Sequence, residues 1–125
     1  MKKIISTKNA PAAIGPYSQA VEANGLLFIS GQLPVDPATG LMAPAEITAQ
    51  TEAVIKNLEA ILKSEGLTLE NVLKTTVYMA DLGQFARMNE VYGRFFAANP
   101  PARATVEVKA LPKAALVEIE AVAAR

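Results

Sequence analysis

Residues 26–29 read Leu-Leu-Phe-Ile, and this short run decides how the chain must fold. Successive side chains of a strand point to opposite faces, so an unbroken apolar run presents apolar surface on both. Val72-Leu73 repeats the pattern further along. A sheet built on such strands needs cover on each side. Working outward, Ala23-Asn24-Gly25 is a hairpin signal joining a strand over Ser18–Glu22 to one over Leu26–Ser30. Val72–Met79, Ala102–Lys109 and Leu116–Ala123 read as further strands, and Lys3–Ser6 as a short one.

Two helices interrupt the strands. From Glu46 to Ser64, apolar residues recur at Ile47, Val54, Leu58, Ile61 and Leu62, a stripe of helical period. Pro44 lies near its start, Glu46 suits the positive end of the dipole in the first turn, and Gly66 stops it. The second helix opens at Asp81-Leu82-Gly83-Gln84, carries Phe85, Met88, Val91, Tyr92, Phe95 and Phe96 as a core stripe, and ends at Asn99-Pro100-Pro101. Strand–helix–strand units favour parallel pairing and hairpins antiparallel pairing. The expected fold is therefore α+β, a mixed sheet of five to six strands with two helices on one face. Two helices cover only one face of such a sheet, so a second copy of the chain is the economical cover for the other.

Composition excludes much. The 125 residues form one domain, with 12 basic and 12 acidic side chains and no net charge. No Lys/Arg run extends beyond Lys2-Lys3, so a nucleic-acid footprint is absent. The apolar start of the chain stops at Ser6-Thr7-Lys8-Asn9, short of a signal peptide, and no stretch approaches a membrane span. A cytoplasmic location is expected. The chain has no Cys and no His. Thiolate nucleophiles, disulfides and the Ser-His-Asp and Cys-His mechanisms are thereby excluded, and the commonest general base and metal ligand are missing. Neither GxGxxG nor GxxxxGK occurs.

Chemistry must then come from carboxylates, Arg, Lys, Tyr, hydroxyls and backbone. In Pro100-Pro101-Ala102-Arg103-Ala104-Thr105-Val106-Glu107-Val108 the side chains alternate, with Arg103, Thr105 and Glu107 on one face. A guanidinium fork at the start of a strand suits a small carboxylate, held by two parallel hydrogen bonds. In the last strand Glu118 and Glu120 share a face. Ala110-Leu111-Pro112-Lys113 reads as the turn of a final hairpin, which would place Arg103 and Thr105 on the side of the two glutamates. Two readings fit that arrangement. One is an exposed cross-strand ion pair worth under about 1 kcal/mol. The other is an interface cleft where Arg103 binds a substrate carboxylate and a glutamate moves protons through a water. Gly15-Pro16-Tyr17-Ser18 delivers a tyrosine just before a strand, and Ser30-Gly31 ends a buried strand at a residue that permits close approach.

Taken together, the segments resemble the reactive intermediate deaminase family, RidA (YjgF). They are Asn9-Ala10-Pro11, Gly15-Pro16-Tyr17-Ser18-Gln19-Ala20, Ser30-Gly31-Gln32-Leu33-Pro34, Lys74-Thr75-Thr76-Val77-Tyr78, Pro101-Ala102-Arg103, Leu111-Pro112-Lys113 and Val117-Glu118-Ile119-Glu120-Ala121. They come in family order and span nearly the whole chain. The resemblance implies a chorismate-mutase-like fold, a homotrimer with sites between subunits, and hydrolysis of 2-imino acids to 2-oxo acids and ammonia. It implies no cofactor and no metal. By the same resemblance Arg103 binds the substrate carboxylate, and Glu118 positions water and carries the proton. Tyr17 reaches the cleft, Ser30 and Gly31 line it with backbone, and Asn89 stands near it. Thr105 departs from the pattern, since many members have cysteine there; a backbone contact survives that change and thiol chemistry does not.

Two rival functions come from other classes. A non-catalytic module could sense 2-oxo or amino acids in the same cleft. A translation inhibitor or ribonuclease, as some relatives are described, fits poorly with zero net charge and no His.

Overall fold

The computed structural model describes residues 1–125. Six strands, β1 (Lys3–Ile5), β2 (Ala20–Ala23), β3 (Leu26–Gln32), β4 (Val72–Met79), β5 (Ala102–Glu107) and β6 (Val117–Ala124), form one mixed sheet. Its spatial order is β1-β2-β3-β6-β4-β5. Helices α1 (Ile47–Ser64) and α2 (Phe85–Phe95) pack together on one face. The expected α+β layering is what the chain adopts.

Local chemistry explains most elements. β2 and β3 pair antiparallel around Asn24 and Gly25, both at positive φ (52° and 77°), the geometry that matches strand twist in a tight hairpin. Glu46 precedes α1 as its cap and not as a first-turn residue. Its carboxylate accepts from the backbone N–H groups of Thr48 and Ala49 at 2.8 and 2.9 Å. Gly66, at φ 73°, closes the other end by donating to the Lys63 carbonyl. α2 is shorter than the periodicity suggests. Asp81 caps a single 3-10 turn over Leu82–Gln84, and the α-helix begins only at Phe85.

The core lies between the helices and the sheet. Val54, Leu58, Ile61 and Leu62 of α1 meet Leu27, Val77, Ile119 and Ala123, all sealed from solvent. Met88, Val91, Tyr92 and Phe96 join them, but Phe85 does not: it stays exposed at the start of α2. The opposite face is bare. Ile4, Phe28 and Val106 remain exposed there, with Phe28 at 47% of its full surface.

One expectation is corrected. β5 and β6 form no hairpin, because β6 inserts between β3 and β4, antiparallel to both. β5 instead pairs parallel with β4 at the sheet edge. The register puts Arg103 and Ala121 beside Thr75, and Glu118 and Val106 beside Tyr78. Thr75 is sealed under α2, whereas Tyr78 alternates to the other side. Arg103 and Thr105 therefore face the helices, and Glu118 and Glu120 face away from them. They do not share a face, as a hairpin would require.

Candidate active site

The proposed site residues fall into two clusters. At the edge, β5 holds Arg103 against α2. Its guanidinium carbon lies 4.7 Å from the centre of the Tyr92 ring and 5.5 Å from that of Phe85. One of its N–H groups donates to Asn89 Oδ1 at 2.7 Å. Phe85, Asn89 and Tyr92 follow at helical spacing, so α2 presents them as one continuous seat. The seat is fixed from below: the Tyr92 hydroxyl is 2.6 Å from Thr75 Oγ1 in the buried layer. Burial pushes the Tyr92 phenol above its ordinary range, partly opposed by the Thr75 hydrogen bond and the Arg103 charge. Arg103 has no carboxylate of its own chain within ion-pair distance, unlike Arg94 with Glu90 and Arg125 with Glu22 and Glu65. Thr105, two residues along, points to the same side. A stacked, oriented guanidinium without a counter-ion is equipped to take an external anion.

The second cluster occupies the open face. Glu118 is half-buried, and its carboxyl group lies against Gly31 so closely that a Cβ at that position would collide with it. Burial raises the Glu118 pKa above the usual carboxylate value, and the neighbouring charge of Glu120 raises it further. Burial and then Glu120 likewise raise the Tyr78 phenol. Ser30 is tied down by donating its hydroxyl to the Ser18 carbonyl at 2.6 Å. Tyr17 stands half-exposed on the preceding loop, its hydroxyl accepting from the Ile14 N–H at 3.3 Å.

That loop is organised by a residue with no assigned role in the sequence reading. The Gln19 side chain accepts from the Thr7 N–H at 2.7 Å and reaches the carbonyls of Thr7, Ala10 and Pro11 at 3.0, 3.2 and 2.8 Å. Tyr17, Gly31 and Lys113 then border a hollow of about 70 Å³. A broader depression of about 710 Å³ crosses the open face past Tyr17, Ser30, Thr76 and Glu120. Neither Arg103 nor Glu118 lines it. Within one chain, then, Arg103, Asn89 and Thr105 come together, and Tyr17, Ser30, Gly31 and Glu118 form a second group on the other side of the sheet. Phe85 and Tyr92 also went unassigned as site residues, although their spacing around Asn89 on one helical stripe was a usable signal. No group of three or more His, Cys, Asp or Glu is placed to hold a metal ion. No helix is long and apolar enough to cross a membrane.

A family model described as endoribonuclease L-PSP matches residues 7–125. The chain belongs to this, the YjgF/RidA family. A RutC family protein of Pyrococcus horikoshii is 52% identical over 123 residues, covering 98% of each chain. The 2-iminobutanoate/2-iminopropanoate deaminase of Mus musculus is 47% identical over 98% of this chain and 91% of its own. Among solved structures, E. coli TdcF with bound serine superposes at a TM-score of 0.94, with 45% identity and 98% of both chains covered. The fold is accordingly the chorismate-mutase-like fold of YjgF/RidA proteins.

Proposed function

We propose that this YjgF/RidA protein hydrolyses 2-imino acids, such as 2-iminobutanoate and 2-iminopropanoate, to 2-oxo acids and ammonia. The sites would lie between subunits of a homotrimer. One observation carries the reading. A guanidinium without a counter-ion and a carboxyl group with a raised pKa lie on opposite faces of one sheet. Only a second copy can bring the Glu118 group to the Arg103 group, and the bare apolar face beside Glu118 supplies the surface for it. The deaminase name of the mouse relative supports the reaction class.

The chemistry suits this equipment. Arg103, steadied by Asn89, Phe85 and Tyr92, binds the substrate carboxylate and orients the molecule. The imine carbon is already electrophilic, so water adds once a base takes its proton. Glu118 accepts that proton and returns it to nitrogen. The hydroxyl proton then passes to the same nitrogen as the carbonyl forms and the C–N bond breaks, releasing ammonia. Water is the only co-reactant. A carboxyl group whose pKa lies above the usual value is a better proton acceptor for such a cycle.

The test couples the protein to a threonine dehydratase and follows release of 2-oxobutanoate. Acceleration by the wild type, with most of it lost in Arg103→Ala at unchanged oligomeric state, is the expected result. Near-normal turnover by Arg103→Ala would remove the carboxylate clamp. The bound serine of TdcF favours a second reading, a sensor of small amino or oxo acids. Saturable binding of 2-oxobutanoate without acceleration would select it.

A further inference from the structure

The last residue of β5 holds the approach to α2. Glu107 lies on the same side of the strand as Arg103, about 13 Å further along. Its Oε1 accepts from the Leu82 backbone N–H at 2.9 Å. Leu82 opens the 3-10 turn that runs without a break into α2 at Phe85. α2 has no side-chain cap of its own, because Gln84 makes no capping hydrogen bond. Two carboxylates fix its lead-in instead: Asp81 on the Gly83 N–H at 2.8 Å, and Glu107 reaching across from β5. Strand and helix are thus tied at two points, by Arg103 to Asn89 at 2.7 Å and by Glu107 to Leu82. Both ties are exposed, so neither is a matter of core packing.

We infer that Glu107 is a positioning residue, whose hydrogen bond to Leu82 sets α2 against β5 and so keeps Phe85 and Asn89 where they orient the Arg103 guanidinium. Its effect on binding rests on the carboxylate reading of Arg103; its effect on the order of Arg103 does not. Glu107→Gln keeps an acceptor oxygen and loses the charge. Glu107→Ala loses both. Leu82→Pro removes the donor instead, at a first-turn position that suits proline and after Asp81 in the extended conformation proline requires.

The assembled protein is titrated with 2-oxobutanoate by calorimetry. Glu107→Ala and Leu82→Pro should each bind about tenfold more weakly than wild type, and their combination no worse than either alone. Glu107→Gln should bind at least as well as wild type. Removing a negative charge near an anion site strengthens binding, so the loss in Glu107→Ala cannot come from charge. In the ligand-free protein, the Arg103 side-chain N–H signal should exchange with water faster in Glu107→Ala and Leu82→Pro than in wild type or Glu107→Gln. Both weakened variants alter exposed groups, and if one fails to assemble the other carries the test. Unchanged Arg103 exchange in the weakened variants, or exchange as fast in Glu107→Gln, would overturn the inference. Arg103→Gln separates the two levels. If it binds 2-oxobutanoate normally, the carboxylate reading fails and the exchange rates alone decide the role of Glu107. If it abolishes binding while Glu107→Ala keeps wild-type affinity, only the role of Glu107 fails.

Discussion

The carboxyl group of Glu118 fills the space where Gly31 lacks a side chain. β3 and β6 are neighbours in the sheet, and the pairing shifts register between Ile29 and Gln32, just where Gly31 lies. Glycine is needed there to admit the carboxyl group. The irregular strand end and the proposed proton carrier are thus one arrangement.

Gly31→Ala should separate activity from stability. The added methyl meets the far end of a flexible side chain, so Glu118 swings aside and the fold survives with a loss of under about 1 kcal/mol. Imine hydrolysis should fall at least tenfold. Urea unfolding and the coupled dehydratase assay measure the two. Large destabilisation together with normal turnover would contradict this account.

If each site takes Arg103 from one subunit and Glu118 from its neighbour, two dead variants should rescue each other. Arg103→Ala and Glu118→Ala homotrimers are each expected to be inactive. After unfolding an equal mixture and refolding it, about a quarter of the sites should again hold both residues, with activity to match. A mixture as inactive as its components would mean that both groups serve the same subunit's site.

Glu118 also gives stability a particular pH dependence. Its folded-state pKa is raised, chiefly by burial and then by Glu120, so the neutral carboxyl is the favoured form in the folded protein. Its contribution is intact below the unfolded-state pKa and is lost as pH rises through the folded-state value. Glu118→Gln, always neutral, escapes that loss. Its stability relative to wild type should therefore grow from pH 4 to pH 8, as read by urea midpoints at fixed protein concentration. A constant difference across that range would exclude the effect.

Phe28→Glu should leave the chain folded but monomeric. Phe28 sits on the bare face and contributes nothing to the buried cluster between helices and sheet. A charge there opposes burial against another copy. Light scattering should report a single chain, and hydrolysis should disappear although Arg103 and Glu118 are untouched. A fully active monomer would refute sites shared between subunits.

Much of this architecture was legible in the sequence because local signals agreed with the final packing. The stripe from Val54 to Leu62 and the Asn24-Gly25 turn each act within a few residues, and each element appears, whereas α2 ends at Phe95, ahead of the expected stop at Asn99-Pro100-Pro101. The last strand pair was misread because Ala110-Leu111-Pro112-Lys113 looks like a turn. A parallel β4–α2–β5 unit competes for the same edge, and it prevails. Residue pattern held the cue. β6 alternates buried Val117, Ile119, Ala121 and Ala123 with neighbours that are half-covered or, at Glu120, exposed, while β5 is exposed along nearly its whole length. The two-sided site was harder to read. Which face Arg103 takes depends on pairing order, and no spacing within β5 encodes that.

The guanidinium of Arg103 lies on a ring whose hydroxyl is anchored beside Thr75 in the packed interior. The proposed anion anchor is thus an outgrowth of the hydrophobic core, ordered when the chain folds and in place before any ligand arrives. Little freedom remains there for binding to remove. Substitutions that loosen the packing beneath α2 will then register first as weakened affinity, well before the protein loses its fold. On that proposal, ligand binding and a well-packed interior make their demands on the same residues.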